Sequence, residues 1–174
     1  GRHNHCPTSP IYREKCQIMN RKLAERYGKH PALAMWHVSN EYNAGCDCPL
    51  CREAFRGWLK RKYKTLDALN AAWWSGFWAH RVTDWSQIGR TDGSLPAMVV
   101  DRHRFDSDQM LDFFEAESAP LRKLTPDIPI TVNMMGTFYQ LDYWRWAEKV
   151  DVISWDNYPA YHDKADTAVH HGSY

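Results

Sequence analysis

The sequence lacks the features that would assign it to a membrane or to a nucleic acid. No apolar run approaches the roughly 20 residues that a membrane-spanning helix needs. The 22 Lys and Arg and 21 Asp and Glu leave a net charge of +1, so nothing suggests a polyanionic partner. There is no internal repeat or low-complexity tract, and the polar start of the chain carries no secretory signal. We therefore expect a cytoplasmic globular protein that binds neither nucleic acid nor membrane.

Aromatic side chains are abundant instead. Nine Trp, nine Tyr and six Phe make up 14% of the 174 residues, and hydrophobic residues make up 44%, which is enough for one ordinary domain with a core. Large rings fill protein cores, and this role accounts for most of them. Flat rings also stack on the apolar faces of sugars, so a carbohydrate ligand is a second interpretation.

The order of segments predicts an α/β fold. Helices are predicted at 11–27, 49–63, 65–70, 97–124 and 142–148, and strands at 33–38, 130–134 and 150–155. Ser9 can cap the first helix and Gly28 can end it, whereas Pro120 is expected to bend or divide the long helix. Strands that alternate with helices are typical of a parallel sheet.

The number of strands predicts only part of a barrel. A (β/α)8 barrel needs eight strands and at least about 200 residues, and three strands are visible here. Residues 1–174 are therefore predicted to be a partial TIM-barrel catalytic domain, and we favour an excerpt of a longer chain. The aromatic, irregular segment at about 73–95, with its three glycines, is predicted to be an inserted loop.

Polar side chains follow the predicted strands, where a barrel builds its active site. Asn40 and Glu41 come directly after the first strand, and Asn133 ends the second. Retaining glycoside hydrolysis needs one carboxylic acid to protonate the departing oxygen. It also needs a second carboxylate about 5–5.5 Å away to attack the sugar. Glu41 could be that acid, although the dipeptide alone is more typical of an ordinary loop glutamate.

Three of the five cysteines are crowded together as Cys46, Cys48 and Cys51. Two disulfides with a spare, or free thiols, are possible, but pairing Cys46 with Cys48 would close a strained loop, so thiolate ligation of a metal fits better. Cys6 is a reasonable fourth ligand, because the loops that flank a parallel β/α unit meet at one face. Four thiolates form a closed, structural zinc site. Cys16 is expected to be a small buried hydrophobic residue.

Several motifs together resemble glycoside hydrolase family 42. They are HPALAMWHVSNEY at 30–42, the cysteine cluster, FRGWL at 55–59, KYKTLDALN at 62–70 and SWDNYP at 154–159. They stand in the order that the family shows, and the likeness extends over nearly the whole chain.

The resemblance implies a retaining β-galactosidase that acts on terminal β-galactosides or galacto-oligosaccharides, with this chain supplying about strands 4 to 6 of the barrel. Glu41 matches the general acid/base, Asn40 the neighbour that binds the galactose 2-hydroxyl, and Arg2 an arginine that contacts the substrate. The nucleophile of the family is a Glu after the seventh strand, and Trp155 closes the sixth. The isolated chain is therefore expected to be inactive.

The remaining expectations concern the pocket and the partners. Four residues at strand ends are predicted to line the sugar pocket, with turn and core roles as the alternative: Asn133, Trp155, Asp156 and Tyr158. The resemblance also implies structural Zn²⁺ on the four cysteines (Cys6, Cys46, Cys48 and Cys51) and a homotrimer. Two other interpretations stay open. One is a retaining barrel glycosidase for another sugar, and the other is a zinc-stabilised, non-catalytic carbohydrate-binding or assembly module, which would need no proton donor at a strand end.

Overall fold

The described residues contain one sheet of three parallel strands. The computed structural model describes residues 5–43, 45–91, 93–136 and 138–158. Strand β1 spans Trp36–His37, β2 spans Ile130–Met134 and β3 spans Val152–Trp155, and they lie in the order β1-β2-β3. Trp36 pairs with Ile130, so all three strands end at the same edge of the sheet. The predicted parallel sheet is confirmed.

The described residues also form five α-helices. They are α1 (Pro10–Tyr27), α2 (Pro49–Tyr63), α3 (Leu66–Trp73), α4 (Pro96–Leu124) and α5 (Tyr143–Ala147). Helix α1 starts where the Ser9 hydroxyl accepts the N–H of Tyr12, and it stops at Gly28, as predicted. Two short 3₁₀ turns, Phe77–Ala79 and Trp85–Gln87, lie in the aromatic segment between α3 and α4.

Strand β1 is shorter than predicted for a local reason. The predicted strand began at Leu33, but the backbone N–H of Leu33 donates to the carbonyl of His30, which closes a turn. Nδ1 of the His30 ring accepts the backbone N–H of Ala32, and this second hydrogen bond stabilises the turn. Strand pairing with β2 therefore begins only at Trp36.

The long helix α4 is one continuous element. Pro120 lies inside it, so the helix is not divided there, and the other expected outcome, a bend, stays a prediction. Pro120 is buried and stands only four residues before the end of the helix at Leu124. Pro120 has no backbone N–H to donate, but only one turn of helix follows it, so the lost hydrogen bond is tolerated.

Two groups of buried side chains hold these elements together. One joins the sheet to α1, α4 and α5, and its most buried members are Ile130, Val132, Phe114, Leu121 and Trp146. The other joins α2 and α3 to the first half of α4, around Phe55, Leu59, Leu69 and Phe105. Helix α4 thus connects the sheet with the α2–α3 unit. In the described ranges, no helix has both the length and the apolar character needed to cross a membrane.

Candidate active site and metal centre

Glu41 lies in the loop after β1, on the wall of a cavity of about 350 Å³. Only 8% of the residue is exposed. Its backbone is left-handed, with φ 45°, and so is that of Ser39, with φ 58°. Each such conformation costs a residue other than glycine about 1–3 kcal/mol, and persists only where the surrounding structure holds it. The loop is therefore held in a strained shape that places Asn40 and Glu41 side by side at the cavity.

Three segments contribute the other walls of this cavity. Residues 45–47, at the start of the cysteine cluster, form one side, and His5 and Pro7 form another. Met110 and Phe113 of α4 form the third side of the cavity. A cavity of this size falls within the range of small-ligand sites. The loop that carries Glu41 and the loop that carries the cysteines thus share one cavity.

The Asn133 side chain joins the ends of all three strands. Its Oδ1 accepts the backbone N–H of Glu41 at 3.1 Å. Its Nδ2 donates to Asn40 Oδ1 at 3.1 Å and to Asp156 Oδ1 at 2.9 Å. Three of the residues predicted for the site, Asn40, Glu41 and Asp156, are therefore brought together around a single amide at the carboxyl edge of the sheet.

Two aromatic residues predicted for the pocket, Trp155 and Tyr158, are not among those that line the cavity beside Glu41. Trp155 stands at the end of β3, 44% exposed, with its ring edge-on to Tyr143 at 6.3 Å between centroids. Tyr158 is 76% exposed. The cavity beside Glu41 is lined by other segments, so a sugar-binding role for these two rings stays a prediction. Arg2 lies outside the described residues.

A buried acid–phenol pair lies behind the Glu41 loop. The Tyr42 ring packs edge-on against Phe113 and Phe114, and its hydroxyl donates to Oε2 of Glu117 in α4. Burial raises the pKa of Glu117, and burial beside this carboxyl also raises the pKa of Tyr42. Cys16 is only half-buried, and burial together with the nearby Glu117 raises its pKa to about 11. The pair anchors the residue next to Glu41 to helix α4.

Tyr42→Phe is expected to lower the free energy of unfolding of the chain by about 1–3 kcal/mol at neutral pH, because a buried carboxyl group loses a donor. The folded pKa of Glu117 is raised above 4.5, so ionisation already costs stability as the pH rises, and losing the donor increases that cost. The loss of stability in Tyr42→Phe should be smallest below pH 4.5 and should grow as the pH rises through the raised pKa of Glu117. Urea unfolding at several pH values measures it.

Tyr143→Phe is the matched control for this substitution. The Tyr143 hydroxyl donates to the carbonyl of Met135 at 2.9 Å, a partner that does not titrate. Its loss of stability should be the same across the pH range in which that of Tyr42→Phe changes. Equal pH dependence in the two variants would contradict the role assigned to Glu117.

The four predicted cysteine ligands come together in space. The sulfur atoms of Cys6, Cys46, Cys48 and Cys51 all lie within 4.8 Å of one another. Cys6 Sγ is 3.4 Å from Cys48 Sγ and 3.5 Å from Cys51 Sγ, and all five cysteines are free thiols, so the disulfide alternative is not what the structure contains. Four sulfurs bound to one zinc at 2.3 Å stand roughly 3.8 Å apart, so the cluster fits such an ion.

The surroundings of the cluster hold its loop in place and shift the pKa values of its thiols in both directions, since burial raises those of Cys46 and Cys51. Cys48 occupies the N-cap position of α2, and its backbone hydrogen bond with Cys51 lowers the pKa of Cys48 to about 7. Arg102 of α4 donates to the carbonyl of Cys46 at 2.7 Å and to Asp47 at 3.4 Å. Asp47 also accepts from Arg52 at 2.9 Å, and this bond lowers the pKa of Asp47. Helix α4 thus holds the loop that walls the Glu41 cavity.

A buried carboxyl residue at the carboxyl end of a parallel strand, open to a cavity, is typical of α/β barrel enzymes, and the small parallel sheet fits that class. The chain belongs to the glycoside hydrolase 42 family, since the family model described as β-galactosidase matches residues 1–174.

Sequence relatives and solved structures agree with this membership. The chain is 59% identical over 168 residues to a β-galactosidase of Alicyclobacillus acidocaldarius, covering 93% of this chain and 24% of the relative. It is 52% identical over 174 residues to one of Bacillus subtilis, covering 94% and 26%. A catalytic mutant of a GH42 β-galactosidase from G. stearothermophilus superposes with a TM-score of 0.87 at 56% identity, over 95% of this chain and 26% of that one. The chain spans about a quarter of the length of these relatives.

Proposed function

We propose that this chain supplies the general acid/base of a retaining β-galactosidase, and that Glu41 is that residue. The observation that carries the proposal is the position of Glu41, which is buried beside Asn40 at the end of a parallel strand and faces a cavity. The curated relatives are β-galactosidases, which supports a β-galactoside or galacto-oligosaccharide as the substrate.

In this mechanism Glu41 acts twice. It first donates its proton to the glycosidic oxygen while the bond from that oxygen to the anomeric carbon breaks and the nucleophile attacks that carbon. As a carboxylate it then takes a proton from the water that hydrolyses the galactosyl–enzyme ester. The nucleophile is proposed to be a Glu from a later strand, outside this chain. Glu117 is not a candidate, because its carboxyl is buried against Tyr42.

The other residues of the site bind and hold rather than react. Asn40 is proposed to bind the 2-hydroxyl of the galactose, and Asp156 to stand at the rim of the same pocket. A zinc ion on the four cysteines would have a closed coordination shell with no open position for substrate or water, so its role would be structural. The ion would fix residues 45–47, which wall the cavity.

A hybrid enzyme tests the proposed function. The hybrid carries this chain in place of the matching segment of the Alicyclobacillus acidocaldarius β-galactosidase, and the unaltered enzyme is the control. We expect the hybrid to hydrolyse nitrophenyl β-galactoside with kcat/KM within about tenfold of the control, and the isolated chain to show no turnover.

Each other outcome is informative. A hybrid that folds without hydrolysing any β-galactoside would contradict the acid/base role, and one that does not fold would contradict the proposed place of the chain in that barrel. Turnover of another glycoside in preference to the galactoside would favour the alternative sugar. Galactose binding by the isolated chain, together with a folded but inactive hybrid, would favour the non-catalytic module.

A further inference from the structure

We propose that Asn133 is a positioning residue that sets the direction in which Asn40 and Glu41 face the substrate. The inference rests on the proposed function, since it concerns the same site, and it adds a residue that acts on the proton donor without touching the reacting atoms.

The side-chain amide of Asn133 has one orientation that satisfies its neighbours. Its two N–H groups point at two oxygens, Oδ1 of Asn40 and Oδ1 of Asp156, while its own Oδ1 accepts the backbone N–H of Glu41. A reversed amide would place an oxygen against two oxygens and an N–H against an N–H. The network therefore fixes the direction of this amide without any ligand present.

The orientation of the Asn133 side-chain amide determines which hydrogen-bonding group Asn40 can direct toward a ligand. Because Oδ1 of Asn40 is engaged by Nδ2 of Asn133, the amide of Asn40 has its Nδ2 left to turn toward the cavity. Asn40 is therefore set as a hydrogen-bond donor, and the group of the substrate that it meets must be an acceptor. A hydroxyl oxygen of a sugar ring meets that requirement.

Asn133 also anchors the backbone of the proton donor. Ser39 and Glu41 both have left-handed backbones, with φ 58° and 45°, a shape that persists only while neighbouring contacts hold it. The bond from the Glu41 N–H to Asn133 ties this strained turn to β2, and the bond to Asp156 ties the same amide to the end of β3. Without the amide, we expect the turn to relax and the Glu41 carboxyl to leave its productive position.

Two substrates that differ in leaving group separate this role from a general loss of structure. Dinitrophenol departs without a proton, whereas phenol departs poorly without one, so misplacing the acid affects mainly the phenyl galactoside. In the hybrid enzyme, we expect Asn133→Ala to lower kcat/KM for phenyl β-galactoside at least about tenfold more than for dinitrophenyl β-galactoside. This ratio reports the step that forms the galactosyl–enzyme.

Thr131→Val is the matched control. Thr131 lies two residues earlier on the same face of β2, and its hydroxyl donates to the carbonyl of Val152 at 2.7 Å, away from the Glu41 loop. This variant should lose stability without any dependence on the leaving group. If Asn133→Ala does not fold, Asn133→Asp keeps the volume while placing an oxygen against Asn40 and Asp156, and it should show the same dependence.

The outcomes distinguish this inference from the proposed function. If Glu41→Gln shows the leaving-group dependence and neither folded Asn133 variant does, the inference is wrong and the proposed function stands. The same dependence in Thr131→Val would also overturn the inference. If Glu41→Gln itself affects both substrates equally, the proposed function fails first.

Discussion

Glu41→Gln in the hybrid enzyme is expected to lower kcat/KM for phenyl β-galactoside by about 10²–10⁴-fold, and to lower it far less for dinitrophenyl β-galactoside. The glutamine keeps the size of the side chain but carries no transferable proton. A leaving group that needs protonation therefore loses its catalyst, whereas dinitrophenolate departs unaided. Steady-state kinetics on the two substrates at one pH measure the difference directly.

The control for this prediction is Glu53→Gln. The Glu53 side chain on α2 is 68% exposed and pairs with Arg56 one turn later on the same helix, so its charge should not matter to the reaction. Its kinetics should match those of the parent hybrid on both substrates. A comparable loss in Glu53→Gln, or full activity in Glu41→Gln, is incompatible with the acid/base role.

Loss of the metal centre is the second large effect that we expect. The chain should bind about one zinc per molecule, and Cys48→Ser should abolish that binding, since one of four thiolates is lost. A ligand that binds only the folded state at about 1,000 times its Kd contributes about 4 kcal/mol to the free energy of unfolding. We expect a loss of that order, measured by urea unfolding together with elemental analysis of zinc.

Cys16→Ser is the matched control for the metal. Cys16 lies in α1 beside Tyr12 and Glu117, outside the four-sulfur cluster. This variant should keep its zinc and should still lose stability when a chelator is added, whereas Cys48→Ser should be indifferent to the chelator. A parent chain that binds no zinc, or a Cys48→Ser variant that keeps it, would refute the metal centre.

Much of the framework was predictable because its signals are local. Helix α2 spans the predicted range, since its apolar residues recur at helical spacing, and β2 has the predicted bounds directly after Pro126 and Pro129. The cysteine cluster was predictable because cysteines this close in sequence form strained disulfides and are better suited to bind one metal ion. The error at β1 arose from the turn at His30, whose ring accepts a backbone N–H that the strand pattern does not reveal.

The side-chain contacts that organise the site were harder to predict from the sequence. The role of Asn133 depends on the register in which Trp36 pairs with Ile130, a relation between residues far apart in the chain. The burial of Glu117 did leave a signal, since Glu117 follows Phe114 by three residues and precedes Leu121 by four, all on one face of α4. A charged residue on an apolar stripe marks a buried pair, but its partner, Tyr42, could only be found in three dimensions.

The stereochemistry of azide rescue tests the central claim most directly. In the Glu41→Ala hybrid, dinitrophenyl β-galactoside still forms the galactosyl–enzyme, and azide can attack that ester without a general base. The product should be β-galactosyl azide, identified by NMR, because two inversions at the anomeric carbon restore the configuration. An α-galactosyl azide would mean that Glu41 is the nucleophile. Absence of rescue in a folded variant would mean that Glu41 takes no part in proton transfer.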